Sequence, residues 1–466
     1  MKSSKVLLFI ASIIASLALI GAIMPDEGVE VADHHVGFAS LHTLVAEHER
    51  VDISTHAAEP PEMLQLRDSV DYYRTLVNDG SLRFWLPNGH YLDAFWRTAE
   101  QARRRGRTVR VLHYGDSQIE MDHITSRLRS HLQQRFGGGG PGMVPFHTIT
   151  PSLTINQSTT GHLIHLSSFG DSTVVRSRGD YGPMMQSFRL GGTAGTTLRA
   201  AKSKSVDDRA KRFSRVTLLY NDRNGHLGVD FTDRQHRATS RQRNDGKGIG
   251  SLIWSLDSTS NNIHLNVSGS ADLYCVLLDD GPGVAVDNIP MRGCSGQQFT
   301  LVPSEKLHSA YERMDVGLII LQFGGNSVPY LKTSNQISTY CQSLGKQIDH
   351  LRQCCPQAKI LFVGPSDMST RLRGQLQTYP IIPELIDSLA ATAVSHGAAY
   401  WSIYHAMGGH NSMPQWTRQG LAGQDYIHFS QRGADLMGDR LSQALENSYT
   451  LYRLEHRLKR QKGAKR

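Results

Sequence analysis

Apolar positions along this chain change their spacing four times. From residue 62 to 105 they recur every three to four residues, as Leu64, Leu66, Val70, Tyr73 and Leu76 and then Leu92, Phe95 and Trp96, which predicts helix. A strand-like run, Val109-Arg110-Val111-Leu112-His113-Tyr114, then stops abruptly at Gly115-Asp116-Ser117. Helical spacing resumes with Met121, Ile124, Leu128, Leu132 and Phe136 and ends at the glycines 137–140. Between residues 167 and 284 the helical period fades. Short β-like runs at 172–176, 216–220, 226–231, 251–256, 262–267 and 273–278 alternate with polar turns, the signature of a sandwich or barrel. Beyond 285 the earlier pattern returns. Apolar strands at 316–323, 360–363 and 399–403 alternate with helices carrying Ile337, Cys341, Leu344, Ile348 and Leu351, and Leu385, Leu389 and Ala393, before a last helix over 430–459. Strands apolar on both faces with helices between them require a parallel sheet covered on both sides. The expected architecture is α/β, in two parts at 62–166 and 285–450 interrupted by an all-β domain at 167–284.

The two ends have their own character. Lys2 and Lys5 precede an apolar run over 6–24, the pattern of an export signal. That run is long for a cleaved segment and just long enough to span a bilayer, so a signal peptide and a membrane anchor both remain open for 1–24. Either places the bulk of the chain outside the cytoplasm, periplasmic or at the cell surface, with the lysines inside. Residues 25–61 read as a polar linker. The tail 451–466 holds seven basic residues between Arg453 and Arg466 against Glu455 alone, which accounts for most of the net charge of +8. The remainder is close to neutral, so no basic body exists to grip nucleic acid.

Five cysteines (Cys275, Cys294, Cys341, Cys354, Cys355) are an odd number without regular spacing, not a disulfide framework. No cysteine–histidine spacing suits zinc, and the 22 histidines include no His-Glu-x-x-His. The glycine run 137–140 lacks the Lys-Ser/Thr of a phosphate loop.

Candidate chemistry sits where apolar strands end. Ser117 closes one strand and opens a helix, an edge where ligands bind in open α/β sheets and where free N–H groups face a developing anion. Nucleophilic catalysis by serine also needs a base, a carboxylate that orients it, and oxyanion donors. Asp425-Tyr426-Ile427-His428 supplies a base, His428, with a carboxylate, Asp425, three residues away. Leu321-Gln322-Phe323-Gly324-Gly325-Asn326 ends a strongly apolar strand on a side-chain amide, and the segment from Asp287 to Gly296 offers Gly293 or Gly296 as a backbone donor. A second Gly170-Asp171-Ser172 lacks both a preceding apolar strand and a following helix, and is set aside.

Gly115-Asp116-Ser117, Gly293, Gly324-Gly325-Asn326 and Asp425-x-x-His428, in this order, resemble the four blocks of the SGNH, or GDSL, hydrolase superfamily. Gln118 departs from the leucine often found after the serine, at a position that varies in the family. The resemblance implies a three-layer α/β/α sandwich with a flavodoxin-like parallel sheet. It implies a triad of Ser117, His428 and Asp425, an oxyanion hole from Ser117, Gly293 and Asn326, and neither metal nor organic cofactor. An exported domain of this kind split by a β insert is similar to bacterial peptidoglycan and polysaccharide O-acetylesterases, which makes an acylated glycan the expected partner. Trp416 stands near Asp425 and offers either a ring to stack on a sugar face or a packing residue. Rival expectations are an O-acyltransferase using the same triad and a membrane-tethered glycan-binding protein with a degenerate hydrolase domain.

Overall fold

Strand–helix alternation builds a five-stranded parallel sheet from β1 (Thr108–Gly115), β2 (Gly283–Pro290), β3 (Val316–Gln322), β4 (Lys359–Gly364) and β5 (Ala399–Ser402). In this computed structural model the described residues are 8–13, 15, 16, 19, 29–31, 34–36, 61–78, 90–148, 150–170, 181–221, 223, 225–233, 237–242 and 249–463. The spatial order of the sheet is 2-1-3-4-5. The helices around it are α1 (Asp93–Ala102), α2 (His123–Phe136), α3 (Ser304–Met314), α4 (Ser334–Cys354), α5 (Ile382–Ser395) and α6 (Gln431–Gly463). Alternate strand residues face opposite ways. Val109, Val111, Leu318 and Ile320 cluster with side chains of α1, α2 and α6, among them Trp96, Leu128 and Leu441. Leu112, Tyr114, Ile319 and Leu321 cluster with α3, α4 and α5 through residues such as Leu307, Leu344 and Leu389. This is the covered parallel sheet expected from the alternation, in the three-layer α/β/α arrangement that the resemblance implied. The chain leaves β1 towards β2 and returns to β3 on the other side, so the switch point of the sheet lies between β1 and β3.

An antiparallel sheet of eight strands occupies the chain between α2 and β2. Its spine is Asn262–Asp279, 18 residues long, which pairs with Gln186–Ala200, Phe213–Asn221, Leu227–Thr232 and Gly142–Pro145. The two runs expected at 262–267 and 273–278 are therefore one strand, bent by a register shift between Leu273 and Cys275. The sheet begins at Gly142–Pro145 and includes Ile155–Ser167, ahead of the boundary expected at 167. Ile155–Ser167 is half exposed and polar, and Gln186–Ala200 carries three glycines, so neither shows a clean alternation. The strand expected at 172–176 and the second Asp171-Ser172 lie outside the described residues.

The two sheets are stitched together by buried charge. Arg110 of β1 donates to Asp287 of β2 (2.7 Å) and to Asp279 at the end of the antiparallel spine (2.5 Å). Asp287 also accepts the Met143 N–H (2.8 Å). Burial pushes the Asp287 carboxyl up, and Arg110 works against that shift. The Tyr114 hydroxyl donates to the Pro183 carbonyl (2.6 Å).

The helical stretch expected over 62–105 resolves into Pro61–Asn78 and α1, with 79–89 outside the described residues. Residues 1–66 form a separate unit, in which Val29–Val31 pairs antiparallel with His34–Val36. Most of the expected export segment and linker lies outside the described residues. Among the described residues no helix is long and apolar enough to cross a membrane. The five cysteines are buried and form no disulfide.

Candidate active site

At the carboxyl end of β1 the chain turns through Asp116 into a 3-10 turn, Ser117–Ile119. The Asp116 carboxylate accepts the Gln118 N–H (3.0 Å), which caps that turn and leaves Ser117 at its first position. At the end of β3, Gly324 adopts φ +123°, and a Cβ there would stand 2.9 Å from the Pro365 ring. The kink delivers Asn326 on a second 3-10 turn, Gly325–Ser327, across the switch point from Ser117.

The third segment precedes α6. Asp425 accepts the backbone N–H groups of Ile427 (3.0 Å) and His428 (3.1 Å) on one oxygen. Its other oxygen lies 2.7 Å from His428 Nδ1. Nδ1–H therefore faces the carboxylate, which leaves Nε2 as the acceptor. Ser117 Oγ is 2.8 Å from Nε2, in position to donate to it. Partial burial works to raise the Asp425 pKa, but the hydrogen bonds from His428 and Ile427 outweigh it and hold the carboxyl below its ordinary value. Both side chains are about half exposed, at 46% and 47%.

Asn326 Nδ2 lies 3.1 Å from the Cys294 carbonyl and 3.3 Å from Asp116. Both amide hydrogens are thus engaged, and meeting an oxyanion requires release of one; the longer contact, to Asp116, is the weaker. Burial raises Asp116 to about 6, against the lowering effects of Gln118, His428 and Asn326.

Gly293 has φ +72° with open space where a Cβ would be, and among the described residues nothing accepts its N–H. Gly296 has φ +83°, and a Cβ there would meet the Phe323 ring at 2.9 Å. Gly293 thus stands on an open surface and Gly296 against an aromatic wall. The loop is tied to the Ser117 turn by the Met291 N–H donating to the Gly115 carbonyl (2.7 Å) and by Arg292 gripping Glu120 (2.6 and 2.5 Å).

Sequence reading passed over one residue here. Gln118 Nε2 donates to the Ile427 carbonyl (2.7 Å), and Gln118 Oε1 accepts the Phe429 N–H (3.3 Å). It brackets His428 from both sides. Only its place beside Ser117 pointed to it, because its partners are more than 300 residues away.

Trp416 turns out to be a packing residue. It is buried in the helix Ser412–Arg418, donates to the Met407 carbonyl (3.0 Å) and lies against Phe429 (5.2 Å between centroids). Its ring is not offered to a sugar.

A cavity of about 180 Å³ opens at Ser117, His428 and Asn326, closed in by Phe323, Tyr330, Met368 and Ile427.

Residues 257–436 match the GDSL-like lipase/acylhydrolase family. The chain therefore carries a GDSL-like acylhydrolase domain. The matched stretch holds Gly293, Asn326, Asp425 and His428; Ser117 precedes it, cut off in sequence by the antiparallel strands and rejoined in space. Among solved structures, a peptidoglycan O-acetylesterase is similar over 77% of this chain and 96% of its own, with TM-score 0.61 and 21% identity, a likeness of fold. A family two carbohydrate esterase from Cellvibrio japonicus matches over 64% of this chain and 99% of its own at 12% identity, with TM-score 0.26. No curated protein matches the sequence. The acylhydrolase fold thus brings all four expected segments to one sheet edge.

Proposed function

We propose that this chain is an exported serine esterase that removes short acyl groups, acetyl foremost, from a cell-envelope or extracellular glycan. The observation that carries this reading is the relay from Ser117 Oγ through His428 to Asp425, at 2.8 and 2.7 Å. His428 Nε2 takes the Ser117 proton as Oγ attacks the ester carbonyl. The resulting oxyanion meets the N–H groups of Ser117 and Gly293 and the Asn326 amide. Collapse of the tetrahedral intermediate breaks the bond to the sugar oxygen, which leaves with the proton from His428. Water, deprotonated by the same imidazole, then attacks the acyl-serine and releases the carboxylic acid. Asp425 holds the Nδ1–H tautomer and stabilises the imidazolium. The 180 Å³ cavity at Ser117 falls below the range of roughly 300–1,000 Å³ usual for whole ligands, which favours a short acyl group over a long one.

The test is fluorophosphonate labelling with peptide mapping, alongside acetate release from O-acetylated peptidoglycan and from p-nitrophenyl acetate. Label on Ser117 and loss of release in Ser117→Ala are expected. Label elsewhere, or full acetate release by the variant, would overturn the assignment. Acetyl transfer to an added oligosaccharide in preference to water would make the chain a transferase with the same relay.

A further inference from the structure

We propose that a second cavity, about 790 Å³ and walled by both sheets, is the subsite for the sugar residues that carry and flank the scissile ester. This rests on the esterase reading above and adds the binding site of the alcohol portion.

Position is the first argument. Glu120 and Gly293 line this cavity. Glu120 directly follows the nucleophile turn and donates its N–H to the Ser117 carbonyl (3.3 Å). Gly293 is the backbone donor proposed for the oxyanion. The cavity therefore lies next to the turn whose preceding residues, Asp116 to Gln118, line the small acyl pocket. Its far wall belongs to the antiparallel lobe, through Ile155, Phe169 and Gln186. Size is the second argument: 790 Å³ lies within the usual span for ligand sites and suits an oligosaccharide far better than an acetyl group.

Charge is the third. Four charged side chains line the space, and they cancel in pairs. Arg292 is bound to Glu120 (2.6 and 2.5 Å), and Arg129 to Asp122 (2.5 and 3.0 Å). A phosphate or sulfate entering the space meets as much negative as positive charge and gains no net attraction, whereas a neutral polyol needs none.

Unspent hydrogen bonding is the fourth. Gln186 is 4% exposed, and its Oε1 is bonded to His165 (2.8 Å). Among the described residues nothing accepts from its amide nitrogen. Asn288, which also lines the cavity, accepts from Thr125 (2.7 Å), and among the described residues nothing accepts from its amide nitrogen. Asn288 stands opposite His113 in the β2–β1 register, two residues short of the Pro290–Gly115 pair, and so just below the nucleophile. Amide donors beside the methionine and proline surfaces of Met143, Met184 and Pro145 match a sugar, which presents hydroxyl acceptors at its rim and C–H groups on its faces.

Two variants test this. Gln186→Leu removes the amide at similar volume, and Thr150→Trp fills the cavity from its margin. The readout is the ratio of kcat/KM on O-acetylated muropeptides, or on acetylated xylo-oligosaccharides, to kcat/KM on p-nitrophenyl acetate, whose turnover also shows that each variant is folded. The expected result is a fall of at least tenfold in this ratio, carried by KM for the glycan. A ratio within twofold of wild type in both variants would overturn the proposal. So would a wild-type enzyme that hydrolyses the reporter and neither glycan. Ser117→Ala separates the two readings, since acetate release persisting in that variant sinks the esterase itself rather than its sugar subsite.

Discussion

At the scale of single residues, the relay depends on holding a half-exposed histidine still. Gln118 does this with two hydrogen bonds to the backbone on either side of His428. Each such bond contributes about 1 kcal/mol, and about 1.4 kcal/mol is a factor of ten in rate. Losing both is therefore expected to lower kcat in Gln118→Leu by about thirtyfold while KM for p-nitrophenyl acetate stays within about twofold; steady-state kinetics checks the split. His113 lies one layer deeper, between Gln322 (3.1 Å) and Thr125 (2.9 Å). Burial drops its pKa from 6.5 to about 4, so the folded protein keeps it neutral. As pH falls below 6.5 the unfolded chain takes up the proton first, and stability present above that pH is lost progressively down to about 4. The full loss is about 3 kcal/mol at 1.36 kcal/mol per pH unit. Urea unfolding between pH 7 and 4 is expected to show this slope in the wild type and a flatter one in His113→Gln.

At the scale of elements, the proposed active site is a product of sheet topology. β1 and β3 are neighbours although the antiparallel strands and β2 lie between them in sequence, and each ends in a polar turn at the switch point. The junction between the sheets is the buried trio of Arg110, Asp279 and Asp287. Removing the cation alone strands two carboxylates in a low-dielectric interior. Arg110→Leu is expected to lower stability by about 3–5 kcal/mol, read from the urea midpoint, a larger effect than the loss of an exposed pair.

At the scale of the whole molecule, the antiparallel strands are not a detachable appendage. Met143, Leu166, Phe169, Met184 and Tyr274 share one buried cluster with Tyr114, Phe299 and Tyr311 of the parallel-sheet lobe. Residues 67–466 accordingly form a single unit. Calorimetry is expected to give one cooperative transition for this unit, and two resolved transitions would show that the lobes fold independently. The shared cluster also holds rigid the walls between which the proposed sugar subsite lies.

Local periodicity was enough to read the parallel sheet, its covering helices and the segments bearing Ser117, Asn326, Asp425 and His428. A strand buried on both faces and a helix buried on one each print their spacing directly into the residues. Where the antiparallel sheet starts was not legible, because Ile155–Ser167 is half exposed and its partner strand is glycine-rich. For Trp416 the sequence left stacking and packing both open and the structure buries it, since burial depends on what folds over a residue rather than on its neighbours in sequence. Residue order thus determined which groups arrive at the carboxyl edge of the sheet. Tertiary structure alone decided that they meet within hydrogen-bond distance, that Gln118 brackets His428, and that a cavity with paired charges opens beside them, because each of these is a contact between segments far apart along the chain.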